Sequence, residues 1–124
     1  MKDIESHKDV EKLVNTFYEG VRANKTIGYI FNDIAKVDWE HHLPRMYSFW
    51  ETILFGKENF KGNPMIKHIL LSKQTELNKI HFDTWLAIWH TTIDKNFSGL
   101  KAEEAKQKAA NIARIMLHKI QENG

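Results

Sequence analysis

The chain has 124 residues, with 18 basic and 16 acidic side chains interspersed to a formal charge of +2, enough for one ordinary domain over residues 1–124 that buries roughly two-thirds of its unfolded surface. The mixed charge leaves no basic stripe of the kind phosphate backbones attract, which argues against a nucleic-acid partner. The absence of cysteine excludes disulfides, thiol nucleophiles, cysteine-held iron–sulfur clusters and thioether attachment of haem, so any cofactor must be held noncovalently.

The first residues, Met1-Lys2-Asp3-Ile4-Glu5-Ser6, lack the apolar stretch of a signal peptide, and no segment approaches 18 uninterrupted apolar residues. These features predict a soluble cytoplasmic protein with no membrane partner. From Ser6 onward, Val10, Leu13, Val14, Phe17, Tyr18 and Val21 recur at offsets of three and four and predict an amphipathic helix. Ser6 with Asp9 is its start signal. Tyr18 lies on the apolar stripe, so its hydroxyl enters the interior and needs a partner there, either a backbone carbonyl or a functional group.

Residues 24–37 contain Gly28 and the Asn32-Asp33 pair and read as a connection with one helical turn around Ile30-Phe31. Asp38 then offers an N-cap. Trp39, His42, Leu43, Met46, Phe49, Trp50, Ile53 and Leu54 form a second stripe. Pro44 lacks an N–H for the Glu40 carbonyl, so either the regular helix starts near His41 or it is kinked, and His42 in that turn is either a gate that swings between pocket and solvent or a fixed hydrogen-bond donor.

Residues 56–64 read as a surface loop leading into the apolar run Met65-Ile66-Lys67-His68-Ile69-Leu70-Leu71. A histidine on an apolar face is ordinarily a core side chain whose ring N–H bonds a carbonyl; the alternative is a metal ligand shielded by apolar walls. The run alone leaves both readings open. Residues 72–79 are polar and predict another loop. Ile80, Phe82, Trp85, Leu86, Trp89, Ile93 and Phe97 form a third stripe, ended by Ser98-Gly99. The last helix is expected over residues 101–121, with Ala105, Ala109, Ile112, Ala113, Met116 and Ile120 inward.

No segment has the period of two that a strand needs, so the expected architecture is all-α, four long helices and a short one. Glycine-rich phosphate loops, a Gly-x-Ser-x-Gly elbow and a His-Glu-x-x-His zinc helix are all absent,. His7, His41, His81, His90 and His118 are scattered and read as solvated surface, and the charged run 101–108 as the wet face of a helix. What remains is a set of polar tips on apolar faces, Tyr18, His42, His68 and Trp85, which would make a small ligand site if they converge.

Phe17-Tyr18-Glu19, Ile30-Phe31-Asn32, Trp39-Glu40-His41-His42, Met46-Tyr47-Ser48-Phe49-Trp50, Gly62-Asn63-Pro64, Lys67-His68 and Phe82-Asp83-Thr84-Trp85-Leu86, taken in order, resemble a group III truncated haemoglobin, a bacterial two-on-two globin. The resemblance spans about residues 10–99. It implies a globin-like two-on-two helical sandwich and a noncovalent haem b. It also implies His68 as the proximal iron ligand, Tyr18, His42 and Trp85 as the distal groups, and Phe31 against the porphyrin. Met46 and Trp50 would line the pocket, and Arg45 would meet a propionate.

Such a protein is expected to bind dioxygen, nitric oxide or carbon monoxide. The Tyr18 O–H and Trp85 N–H are donors to a ligand carrying partial negative charge and so slow its release. Slow release suits redox chemistry such as nitric oxide dioxygenation or peroxidase-like turnover, with electrons from an external reductase because the chain has no room for a flavin domain. The rival readings are a carrier or sensor without turnover and a haem-free helical interaction module.

Overall fold

The computed structural model describes residues 1–34, 36–56 and 77–123. His68, the apolar run around it and nearly all of the two expected flanking loops lie outside the described residues. Four long helices are present: α1 (His7–Ala23), α2 (Trp39–Phe55), α3 (Lys79–Asn96) and α4 (Leu100–Asn123). A π-helical turn, Ile30–Ile34, stands between α1 and α2. No strand occurs among the described residues, and the all-α expectation holds.

Helix α1 begins where the sequence signals it. Ser6 has extended dihedrals and its Oγ accepts from the Asp9 N–H at 3.4 Å, satisfying one of the orphan donors of the first turn. Every residue of the expected stripe is buried, Val10, Leu13, Val14 and Val21 completely. Asn24 stops the helix, its side-chain oxygen accepting from the Thr26 and Ile27 N–H groups at 2.8 and 3.2 Å. This turn doubles the chain back so closely that a Cβ on Gly28 would stand 2.8 Å from the Arg22 carbonyl oxygen.

Helix α2 differs from its expected form. It starts at Trp39 and runs unbroken through Pro44, with the His41 and His42 N–H groups both donating to the Asp38 carbonyl at 3.2 and 2.9 Å. Glu40 and Pro44 are both exposed, so the missing backbone bond falls on the solvent side, where water replaces it. Asp38 occupies the N-cap position without capping; its carboxylate instead accepts from His41 Nδ1 at 2.6 Å. Gly56, left-handed at φ +71°, closes the helix through its N–H to the Thr52 carbonyl at 3.1 Å,.

Helix α1 packs against α2 and α3, α3 against α4, and α4 also meets α2. The centre is Trp89, fully buried. Its indole N–H donates to the Ala105 carbonyl at 3.1 Å, its ring stacks on Trp50 at 4.5 Å, and the Phe17 ring meets it edge-on at 4.9 Å. Small residues permit the approach of α3 and α4, since Ala102, Ala105, Ala109 and Ala113 are all buried along one face.

Polar groups stitch the helices at their margins. His7 bonds the buried Glu51, and the Tyr47 hydroxyl donates to Asn15, so α1 and α2 are pinned antiparallel at two heights. The N-terminal segment crosses to the other pair. Asp3 accepts from the Lys101 and Ala102 N–H groups at 2.8 Å each, capping α4 from the far end of the chain. Burial pushes the Asp3 carboxyl up, but the N–H groups of Lys101, Ile4 and Ala102 together with the Lys101 charge outweigh it and hold the group below the usual carboxylate range.

Two of the histidines read as surface are half-buried. His81 joins the start of α3, and His90 has an Nε2 with no hydrogen-bond partner. His7, His41 and His118 are exposed. Among the described residues no helix is long and apolar enough to cross a membrane, and no His/Asp/Glu cluster is arranged to hold a metal ion.

The His7–Glu51 pair makes stability depend on pH. The hydrogen bond to Glu51 raises the His7 pKa, partly opposed by desolvation and reinforced by the Glu51 charge and by Glu11 at 2.5 Å. A pKa raised on folding contributes stability that is fully present below the unfolded value of about 6.5 and is lost as pH rises through the folded value. His7→Gln is therefore expected to lower Tm in mildly acidic buffer and to converge on the parent as pH rises past the folded His7 pKa, checked by thermal melts across that range.

Candidate functional site

Tyr18 is one residue beyond Phe17 on α1, and that single step divides two environments. Phe17 enters the Trp89 core, while Tyr18, 8% exposed, turns toward α2 and the π-helical turn. Its ring meets Phe31 at 6.1 Å, Trp39 at 5.2 Å and His42 at 5.1 Å. Its hydroxyl lies 3.1 Å from His42 Nε2. Burial raises the phenol pKa well above its ordinary value, so the hydroxyl keeps its proton throughout the physiological range.

His42 is half-buried, held by this bond and by the Trp39 ring edge-on at 5.5 Å. Trp39 also stacks on Phe31 at 6.3 Å, and the Arg22 guanidinium covers it at 4.9 Å, a cation–π contact closing the cluster on its outer side. In this arrangement His42 is turned inward, toward the Tyr18 hydroxyl.

Beside this cluster lies a cavity lined by Ile27, Ile30, Phe31, Leu77, His81, Phe82, Trp85 and Met116. Phe31 belongs to both, and so joins the Tyr18–His42 pair to the cavity wall. Trp85 reaches the same wall from α3, its ring edge-on to Phe17 at 5.6 Å and parallel to Trp89 at 6.3 Å.

Of the residues singled out from the sequence, Phe31 and Trp85 line the cavity, while Tyr18 and His42 meet beside it, Tyr18 in ring contact with Phe31. The others lie elsewhere. Trp50 is buried against Trp89 in the core, Met46 is half-buried along α2, and Arg45 is exposed on α2. His68 lies outside the described residues. Sequence reasoning missed Trp39, Leu77, His81 and Met116 as parts of the site. Trp39 stood on the α2 stripe and Met116 on the α4 stripe, so the apolar periodicity that marked them as inward did not separate cavity wall from core.

An apolar, aromatic wall with a few convergent polar groups suits a flat, largely apolar ligand. The lining fits a porphyrin by its chemistry: seven of the eight described side chains are aliphatic, aromatic or thioether, and one of them, Phe31, contacts the Tyr18 of the hydroxyl–imidazole pair.

These features define a globin-like helical protein with an apolar cavity beside a tyrosine–histidine pair. The chain belongs to the bacterial-like globin family, which it matches over residues 2–121. It is 27% identical over 111 residues to the group 3 truncated hemoglobin ctb of Campylobacter jejuni, covering 87% of this chain and 85% of that protein. The crystal structure of a group III truncated hemoglobin from Campylobacter jejuni superposes with a TM-score of 0.84 at 26% identity, covering 100% of this chain and 98% of that one. The resemblance to group III truncated haemoglobins is borne out. Membership in the globin family implies haem-based binding of diatomic gases.

The corner that delivers Phe31 to the cavity depends on Gly28. A side chain there must displace the backbone of α1's last turn, because the Val21 and Arg22 carbonyl oxygens lie 3.2 and 2.8 Å from the added Cβ. Gly28→Ala is expected to cost about 1–3 kcal/mol, measured by urea unfolding.

Proposed function

We propose that this protein holds a noncovalent haem b through His68 and binds dioxygen, nitric oxide or carbon monoxide on the side facing Tyr18, His42 and Trp85. Its physiological task is redox detoxification of nitric oxide or peroxide, with electrons from an external reductase. The observation that carries this reading is the Tyr18–His42 pair, joined through the Phe31 ring to an apolar, aromatic cavity that Trp85 also lines. When bound, haem supplies the iron that takes the diatomic ligand and changes oxidation state.

The protein's own groups then decide how the ligand is held. A phenol has one proton. If His42 Nε2 accepts it, none is left for the ligand; if His42 carries its proton on Nε2 and donates to the Tyr18 oxygen, the Tyr18 O–H is released to point into the pocket. The second tautomer is the one the proposal requires, so His42 acts through Tyr18 as a positioning residue. Trp85 adds an indole N–H that can only donate.

Phe31 would pack against the macrocycle, Met46 and Trp50 would support α2 behind His42, and Arg45, exposed on the same helix, would offer a cation to a propionate. Donors aimed at a partly negative ligand slow its release, which favours turnover over bulk carriage.

Purified protein loaded with haem is expected to show an intense Soret band, and His68→Ala to lose haem faster or admit added imidazole to the iron. A wild-type protein that folds yet stays colourless after haem addition overturns the proposal. Tyr18→Phe and Trp85→Phe should each speed dioxygen release by about 10- to 100-fold, since a hydrogen bond to a charged acceptor contributes about 1.5–3 kcal/mol. The two effects should fall short of additive because both donors serve one small acceptor. Stopped-flow release rates unchanged in both variants remove them from the ligand's surroundings.

A further inference from the structure

The cavity wall contains one polar side chain that the reading above leaves without a task. His81 lies in the first turn of α3 and is half-buried. Its Nδ1 accepts the Asn78 backbone N–H at 3.0 Å, while the Asn78 side chain accepts from the Ile80 N–H at 3.0 Å, a reciprocal capping box. The box ordinarily uses glutamate or glutamine at this position. A histidine fills the same role only through the lone pair of Nδ1, which places the ring proton on Nε2. The cap therefore selects one tautomer and leaves a ring N–H donor on a residue that lines the cavity with Phe31, Phe82 and Trp85.

We infer that His81 is a cofactor-binding residue whose Nε2–H donates to a carboxylate on the rim of the cavity's occupant, which, resting on the haem reading, is a haem propionate. Among the described lining residues, Ile27, Ile30, Phe31, Leu77, Phe82 and Met116 have no side-chain N–H or O–H to offer that occupant, and His81 and Trp85 do,. They differ in position along α3.

His81 and Trp85 are four apart on α3 and share a face, about 6 Å apart along the axis, with His81 at the helix start and Trp85 one turn further in. A porphyrin such as haem b is apolar over most of its surface and carries its two carboxylates together at one edge. That edge belongs where water and a donor are both available, and the first turn of α3 supplies both. Lys79, the nearest cation on this turn, is engaged with Asp83 at 2.8 Å.

The test separates this role from capping. His81→Gln and His81→Glu both keep the acceptor the Asn78 N–H needs, but the first retains a donor and the second presents an anion. Haem loss to an excess of a haem-scavenging globin is measured for wild type and both variants, with haem and with its dimethyl ester, whose carboxylates are blocked. With haem, His81→Glu is expected to lose the cofactor about tenfold faster than wild type or more, and His81→Gln to stay within about threefold. With the dimethyl ester the three proteins should lose it at similar rates.

A Glu-to-wild-type ratio that is the same for haem and ester, or a ratio of one for both, overturns the inference. Hydrogen exchange of the His81 Nε2–H in wild type checks it without a substitution: exchange should slow on loading with haem and not with the ester, and equal slowing by both overturns it. A wild type that takes up neither compound refutes the haem reading itself, whereas uptake of both with an unchanged ratio refutes only the assignment of His81.

Discussion

Trp89 is the constraint from which the rest of the arrangement follows. A fully buried indole must satisfy its N–H, and this one does so on the Ala105 carbonyl of α4 while its ring lies between Trp50 of α2 and Phe17 of α1. One side chain thus contacts three other helices. Removing a tryptophan from such a position ordinarily costs about 3–5 kcal/mol, a large share of the about 5–15 kcal/mol that holds a small domain together. The stack has a second consequence. Trp85, one turn earlier on α3, lies parallel to Trp89 with an interplanar angle of 2°, so the core fixes the plane of the indole that faces the cavity.

The other side of the site is set by polar pairs between α1 and α2. His7 with Glu51, Asn15 with Tyr47 and Tyr18 with His42 follow one another as two antiparallel helices demand, with rising numbers on one helix and falling numbers on the other. A shift of either helix by a turn would break all three. Tyr18 and His42 therefore meet through the register of the whole interface, in addition to their own hydrogen bond. Buried networks of this sort discriminate between alternative packings more than they add net stability, because desolvation offsets much of each bond.

The fold was legible wherever one periodic face had one environment. The α1 stripe is buried residue for residue, and the alanines of α4 are where their spacing put them. Legibility fell where one stripe serves two environments. On α2, the inward face includes His42 at the site and Trp50 in the core, and periodicity does not distinguish them. Glu51 is buried beside that stripe because His7, 44 positions away, reaches it.

Asp3 likewise caps a helix 98 positions distant, a pairing no local pattern contains. The helix start at Trp39, ahead of the His41 that Pro44 suggested, was hidden for a different reason: the cost of a helical proline depends on which side of the helix the lost bond faces, and that is a tertiary fact. Tyr18, His42 and Trp85 could be chosen as polar tips on apolar faces and Phe31 through the family resemblance, while their placement needed the corner at Gly28 and the register of α1 on α2.

His81 shows how a local rule and a distant role become one requirement. The capping box needs an acceptor at the third helical position, and glutamate, the usual choice, would set an anion on the cavity wall. Glutamine would meet the cap without that charge but with a flexible amide whose loss of rotamer freedom opposes holding a donor in place. Imidazole satisfies the backbone with one nitrogen and orients the other by the rigidity of its ring. The same logic governs His42, where the proton on Nε2 decides whether the Tyr18 hydroxyl is spent within the protein or left for a ligand. In the proposed roles a histidine tautomer sets a hydrogen bond at the site, through the capping bond at the start of α3 for His81 and through the Tyr18 bond at the α1–α2 interface for His42.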